Sequence, residues 1–180
     1  MPGQESQDIL FVDGYNVIHD WPELRSYLSV SLHASRERLI DILSEYRSVT
    51  GQKIILVFDA HHTERLAKDV EARHGVEVVF THKGITADSY IERAVHSLDP
   101  RKAGVIRVAT SDMQEQHVVL GDGAVRVSAR ELGEMVSDAL HTAKEVHIAA
   151  RPVKPNTLEN KLPPEIVKKL RTLAQNLYKK

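Results

Sequence analysis

Residues Ile9–Arg25 read ILFVDGYNVIHDWPELR. Ile9 to Val12 are apolar without alternation, and Asp13 follows them directly, with Gly14, Tyr15 and Asn16 next. A short, unbroken apolar run marks a strand covered on both faces, the kind found in parallel sheets wrapped by helices. A carboxylate where such a strand leaves the core calls for a reason, because ionised groups rarely border a core without a partner.

The same arrangement recurs along the chain. Ile54–Phe58 runs into Asp59, Val105–Ala109 is followed after two residues by Asp112, and Val76–Phe80 is followed by Asp88 in the first turn of the next helix. A weaker fifth strand, Ala124–Val127, alternates with Arg126. Between the strands lie helical patterns. Ser31–Val49 puts Leu32, Leu39, Ile42, Leu43 and Tyr46 on one stripe, with Gly51 as its stop. Thr63–Arg73 reads as a shorter, more polar helix, and Thr86–Leu98 ends before Pro100. Ser111–Leu120 and Ser128–Ala149 both open on capping-box sequences. Alternating strands and helices predict an α/β fold with a central, mainly parallel sheet.

With 180 residues, 42% of them hydrophobic, the chain supports one core and a small appendage. The absence of cysteine excludes disulfide frameworks and cysteine zinc sites. No apolar run approaches the roughly 18 residues of a membrane span, and MPGQESQD lacks the pattern of a signal peptide. A soluble, cytoplasmic protein is expected. Beyond Ala150, RPVKPNTLENKLPPE reads as a linker, and a basic helix follows over about 165–178, with Ile166, Leu170, Leu173 and Leu177 as its apolar stripe. The expected division is therefore a domain over 1–150 and a linker with a helix over 151–180. The latter carries eight Lys or Arg against two Glu, so a net charge of −1 conceals a +6 tail on a −7 body. Such a tail suits contact with a polyanion, or else serves as a solvated end.

In open α/β sheets the carboxyl ends of the strands share one edge, where ligands bind. Asp13, Asp59, Asp88 and Asp112 are therefore expected to converge there. Converging carboxylates raise one another's pKa unless a cation lies among them, and hard oxygen donors point to Mg²⁺, with Mn²⁺ as a substitute. Such an ion recruits phosphate, so the pattern leads to metal-assisted phosphodiester hydrolysis. Taken singly, each aspartate also fits a helix cap or turn. Asp88 and Glu92 are four apart and share a helix face. Asn16 either shapes its turn or bonds phosphate, and Ser111 either caps its helix or touches substrate. The adjacent His61 and His62 are expected to be loop residues. Trp21 is either a base-stacking platform or an anchored loop aromatic. Neither GxGxxG nor a Walker loop is present, so no nucleotide cofactor is expected.

Together, VDGYNVI, LVFDAH, ITADSYIE and VATSDMQEQ, in that order and spacing, resemble the NYN branch of the PIN-like nucleases, and more narrowly the YacP-like proteins. The resemblance covers about residues 8–150, with GDGAVRVSARELGEMV similar to the family's closing segment. It implies a PIN-like three-layer α/β/α fold and a Mg²⁺-dependent endoribonuclease. Asp13, Asp88 and Asp112 match the family's metal-binding acids, while Asn16 and Asp59 fall at supporting positions. The family includes a bacterial ribosome-associated endoribonuclease of messenger RNA, which makes RNA and the ribosome the expected partners and a bacterial cytoplasm, or a plastid after removal of a transit peptide, the expected setting. The acidic body departs from what RNA binding needs, so contact falls to the tail and to Lys83, Arg93, Arg126 and Arg130 beside Ser111. The rival is an RNA- or ribosome-binding adaptor on a nuclease fold. A pure RNA binder, however, gains nothing from an acidic patch.

Overall fold

The computed structural model describes residues 6–59, 69–99, 103–110, 123–149 and 165–166. β1 (Gln7–Asp13) lies inside the sheet, paired in parallel with β2 (Lys53–Phe58) on one side and β5 (Ala103–Ala109) on the other. β2 carries β4 (Val76–Phe80) in parallel, and β5 carries β6 (Val125–Val127). With β3 (Asp69–Arg73) antiparallel on the far edge of β4, the order is β3-β4-β2-β1-β5-β6. The five apolar runs of the sequence thus form five parallel strands.

Alternation along the strands divides the core in two. Leu10, Val12, Leu56 and Phe58 face one side, where they pack with Leu39 and Leu43 of α3 (Leu32–Thr50) and with Leu132 and Val136 of α5 (Ala129–Ala149). Ile9, Phe11, Ile55 and Val57 face the other, against Ile91 and Val95 of α4 (Ala87–His96). Helices on both faces give the three-layer α/β/α arrangement. Caps define the helix starts. Ser31 accepts the Ala34 N–H, Thr86 accepts the Ser89 N–H, and Ser128 and Glu131 bond reciprocally in the capping box expected of them. Gly51, at φ +71°, closes α3 in the left-handed conformation.

Two local readings differ from expectation. The polar helix expected over 63–73 is a strand from Asp69 onward. His74 (φ +50°) and Gly75 (φ +85°) form a tight turn that folds it back onto β4, Arg73 pairing with Val76. Two consecutive positive-φ residues match the twist of a hairpin. Strand pairing then prevails over helical spacing, and the polarity reflects an edge strand, on which Val70 is half exposed. The part of that segment over 63–68 lies outside the described residues. The second difference follows Asp13, where two short helices, α1 (Gly14–Asp20) and α2 (Pro22–Leu28), precede α3. Pro22 sits at the start of α2, where its missing N–H and fixed φ suit a first turn.

The chain divides into two compact units, Met1–Lys144 and Glu145–Lys180. Of the second, the last residues of α5 and the helical, exposed Glu165 and Ile166 are described. Among the described residues no helix is long and apolar enough to cross a membrane.

Candidate active site at the carboxyl edge of the sheet

β1 is the strand at which the chain order reverses. The connection after β1 leads to β2 on one side, whereas the connection after β4, through α4, leads back to β5 on the other. The crevice at such a switch point is where α/β sheets bind ligands, and Asp13 stands at its mouth. By alternation the Asp13 side chain leaves β1 on the α4 face, in step with Ile9 and Phe11. Asp88 lies in the first turn of α4 and is not its cap, since Thr86 performs that task.

The carboxyls of Asp13 and Asp88 are in hydrogen-bonding contact. Burial, followed by the negative charge of Asp88, drives the Asp13 pKa up from 3.8 to about 6, although the Asn16 and Tyr15 backbone N–H groups bond its ionised form and work the other way. The Asn16 N–H lies 3.1 Å from Asp13 Oδ1, so this carboxylate also caps α1. Capping and facing Asp88 are thus roles of one side chain rather than rival explanations of it. Gly14 makes the geometry possible. A Cβ there would collide with the buried Phe58 ring, so only glycine lets α1 start this close to β2.

Asp59 follows β2 two residues beyond Val57, the partner of Asp13, and its charge raises the Tyr15 pKa in concert with burial of that phenol. Asp13, Asp88 and Asp59 therefore share one edge. Ser111 and Asp112 lie outside the described residues, as do His61 and His62. Among the described residues no three His, Asp or Glu form a group that could hold an ion on their own. Glu92 is exposed one turn along α4 from Asp88. Of the basic candidates, Lys83 is exposed in the turn after β4, and Arg93 donates from Nε to Ser89 O at 2.8 Å on its own helix. Arg126 is half-buried on β6, with its Nε lacking a hydrogen-bond partner among the described residues. Arg130 is paired with Glu134 at 3.2 Å and lines a groove of about 760 Å³ that contains neither Asp13 nor Asp88. Trp21 proves to be an anchor: its Nε1 donates to Ala129 O at 2.7 Å and its ring packs on the core.

Two residues at this edge escaped the sequence reading. Arg36, half-buried on α3, donates from Nη1 to Tyr15 OH at 3.3 Å and lies 5.7 Å above the Phe80 ring. Its spacing from Leu32, Leu39 and Leu43 places it on the apolar stripe of α3, and an arginine there was the available signal. Tyr15 was bracketed by the motif but carried no chemistry of its own.

A family model described as the YacP-like NYN domain matches residues 10–175. The Bacillus subtilis (strain 168) protein YacP is 47% identical over 125 residues, which is 69% of this chain and 72% of that protein. The crystal structure of Rae1 (YacP) from Bacillus subtilis superposes with a TM-score of 0.69 at 38% identity, covering 94% of this chain and 95% of that one. A tryptophan-to-leucine variant of it gives a TM-score of 0.67 at 40% identity, covering 82% and 87%.

Proposed function

The chain belongs to the YacP-like NYN domain family, and on that premise we propose that it is a metal-dependent endoribonuclease acting on messenger RNA in association with the ribosome. A nuclease-type, RNA-related NYN domain comes with the family. The metal, the ribosome and a bacterial cytoplasmic setting are the finer proposal. One observation carries the chemistry: two carboxyls, Asp13 and Asp88, touch at the switch point of the sheet. At neutral pH the Asp13 carboxyl is ionised beside Asp88, and a bound cation would relieve the repulsion. All-oxygen donors in a chain without cysteine fit Mg²⁺, or Mn²⁺ in its place. Asp13 and Asp88 would hold it, with Asp112 as the third acid. When bound, the ion neutralises charge on the phosphodiester and eases deprotonation of the attacking water.

The chain's own residues set the geometry. Backbone N–H groups of Tyr15 and Asn16 fix the Asp13 carboxyl, and the Thr86 cap fixes the first turn that presents Asp88. Asp59 follows the end of the neighbouring strand β2, within electrostatic reach of Tyr15, and Asn16 lies in the first turn of α1. The basic segment 151–180 supplies attraction for RNA or the ribosome.

Cleavage of end-labelled RNA with Mg²⁺, Mn²⁺ or EDTA, beside Asp13→Asn and Asp112→Asn and with or without translating ribosomes, tests this reading. Cleavage that needs the metal and both aspartates is expected, with a higher rate on translated messages. No cleavage in any arm, with RNA or ribosomes still bound, would replace the enzyme by the adaptor.

A further inference from the structure

Among the described residues, four arginines of the first unit have carboxylate partners. Arg38 binds Glu23, Arg73 binds Glu37 through both nitrogens, Arg107 binds Asp8, and Arg130 binds Glu134. Arg36 differs. It is half-buried, yet among the described residues no carboxylate comes within ion-pair distance of it. Its neighbours are a phenol oxygen at 3.3 Å and the face of the Phe80 ring. These hold the guanidinium in place without neutralising it. A guanidinium that has lost water and gained no anion is poorly compensated, and its planar fork matches the oxygens of a phosphate.

The position of Arg36 decides which phosphate. Tyr15 joins it to the acidic pair, since the Tyr15 N–H bonds Asp13 while the Tyr15 hydroxyl accepts from Arg36. Asp59 lies within electrostatic reach of the same phenol, and the Tyr15, Phe58 and Phe80 rings, 5.1 and 5.5 Å apart, form the floor below. We propose that Arg36 grips a backbone phosphate of the RNA strand away from the bond being cut, directing the strand across the carboxyl ends of β1, β2 and β4. This rests on the nuclease reading above. It also supplies a local cation on an edge whose acids repel RNA.

The test uses the full chain, a short fluorescein-labelled single-stranded RNA, and EDTA to stop cleavage. Arg36→Met should weaken binding roughly tenfold and flatten the plot of log affinity against log salt by about 0.7, the contribution of one bound phosphate. Arg36→Lys keeps the charge and loses the fork, so it should fall between. Arg25→Met, on the exposed face of α2, should match the wild type. With metal restored, Arg36→Met should raise KM and leave kcat near its original value, as a uniform binding interaction does. A changed fold would shift the unfolding midpoint without selectively removing salt dependence. An unchanged slope in Arg36→Met, with wild-type binding intact, overturns the role of Arg36 alone. No RNA binding or cleavage by the wild type overturns the nuclease reading first, and this inference with it.

Discussion

Asp13→Asn should make the metal-free protein more stable at neutral pH while removing its activity. The unfolded chain releases the Asp13 proton near 3.8, whereas the folded protein holds it to about 6. Between these values the folded state binds the extra proton, so stability is greatest below 3.8 and declines as pH rises through 6. At about 1.4 kcal/mol per pH unit, the interval corresponds to at most about 3 kcal/mol. Asparagine keeps the Oδ1 that accepts the Asn16 N–H, and as a helix cap it ranks with aspartate. What it removes is the buried charge facing Asp88.

Urea unfolding in EDTA, followed by the fluorescence of the single, half-buried Trp21, measures this. From about pH 4 to about pH 7.5 the wild type should lose stability that the variant retains, and at the upper end the variant should be the more stable by up to about 3 kcal/mol. Adding Mg²⁺ at neutral pH should stabilise the wild type and leave the variant near its metal-free value. A variant that is less stable at neutral pH, or that keeps the wild-type pH slope, would refute burial of an uncompensated carboxylate as the origin of the shift.

Gly14→Ala places a methyl against the buried Phe58 ring and should destabilise the fold by about 1–3 kcal/mol, read as a lower urea midpoint with an unchanged m-value. Asp8 accepts from the Val105 N–H at 2.9 Å and from Arg107 at 3.1 Å, and these bonds, the backbone one first, hold its pKa below the usual value. Its stabilisation is present above 3.8 and disappears as pH falls through the lowered value; because the side chain is 36% exposed, Asp8→Asn should cost only about 0.5–1 kcal/mol at neutral pH and nothing in strong acid, checked by urea unfolding at both. Removing residues 151–180 should lower the salt dependence of RNA binding by about 0.7 for each phosphate that the segment neutralises, with kcat on a short RNA retained; equal binding at every salt concentration would make that segment a solubilising end.

Much of the sheet was legible because its strands are buried on both faces, and unbroken runs such as IILVF leave little else to form. That Asp13 and Asp88 would meet was legible for a topological reason, since parallel strands deliver their ends to one edge whatever the sequence separation. The hairpin strand β3 was not, because an edge strand made of Asp69, Val70, Glu71, Ala72 and Arg73 is specified by its partner and by a His74–Gly75 turn, not by its own periodicity. α1 and α2 were hidden by shortness, as neither spans enough residues for a helical period to emerge. Arg36 was hidden by its type: an arginine reads as surface until the fold sets its guanidinium beside the Tyr15 hydroxyl and the Phe80 ring.

The acidic body raises the question of how RNA approaches. Charges at physiological ionic strength are felt over about 8 Å, so a net charge summed over a whole domain says little about any one edge. What a phosphate meets is decided by the few groups within that distance. At the carboxyl edge these include Asp13 and Asp88, which a bound cation would neutralise, Asp59, and Arg36, which no described carboxylate pairs. A bound divalent cation would offset the two charges of that pair, a large share of the charge at this edge but a small share of the body's −7. RNA affinity at this edge should follow occupancy by the ion, and the basic segment beyond Ala150 should act at longer range, on encounter more than on placement.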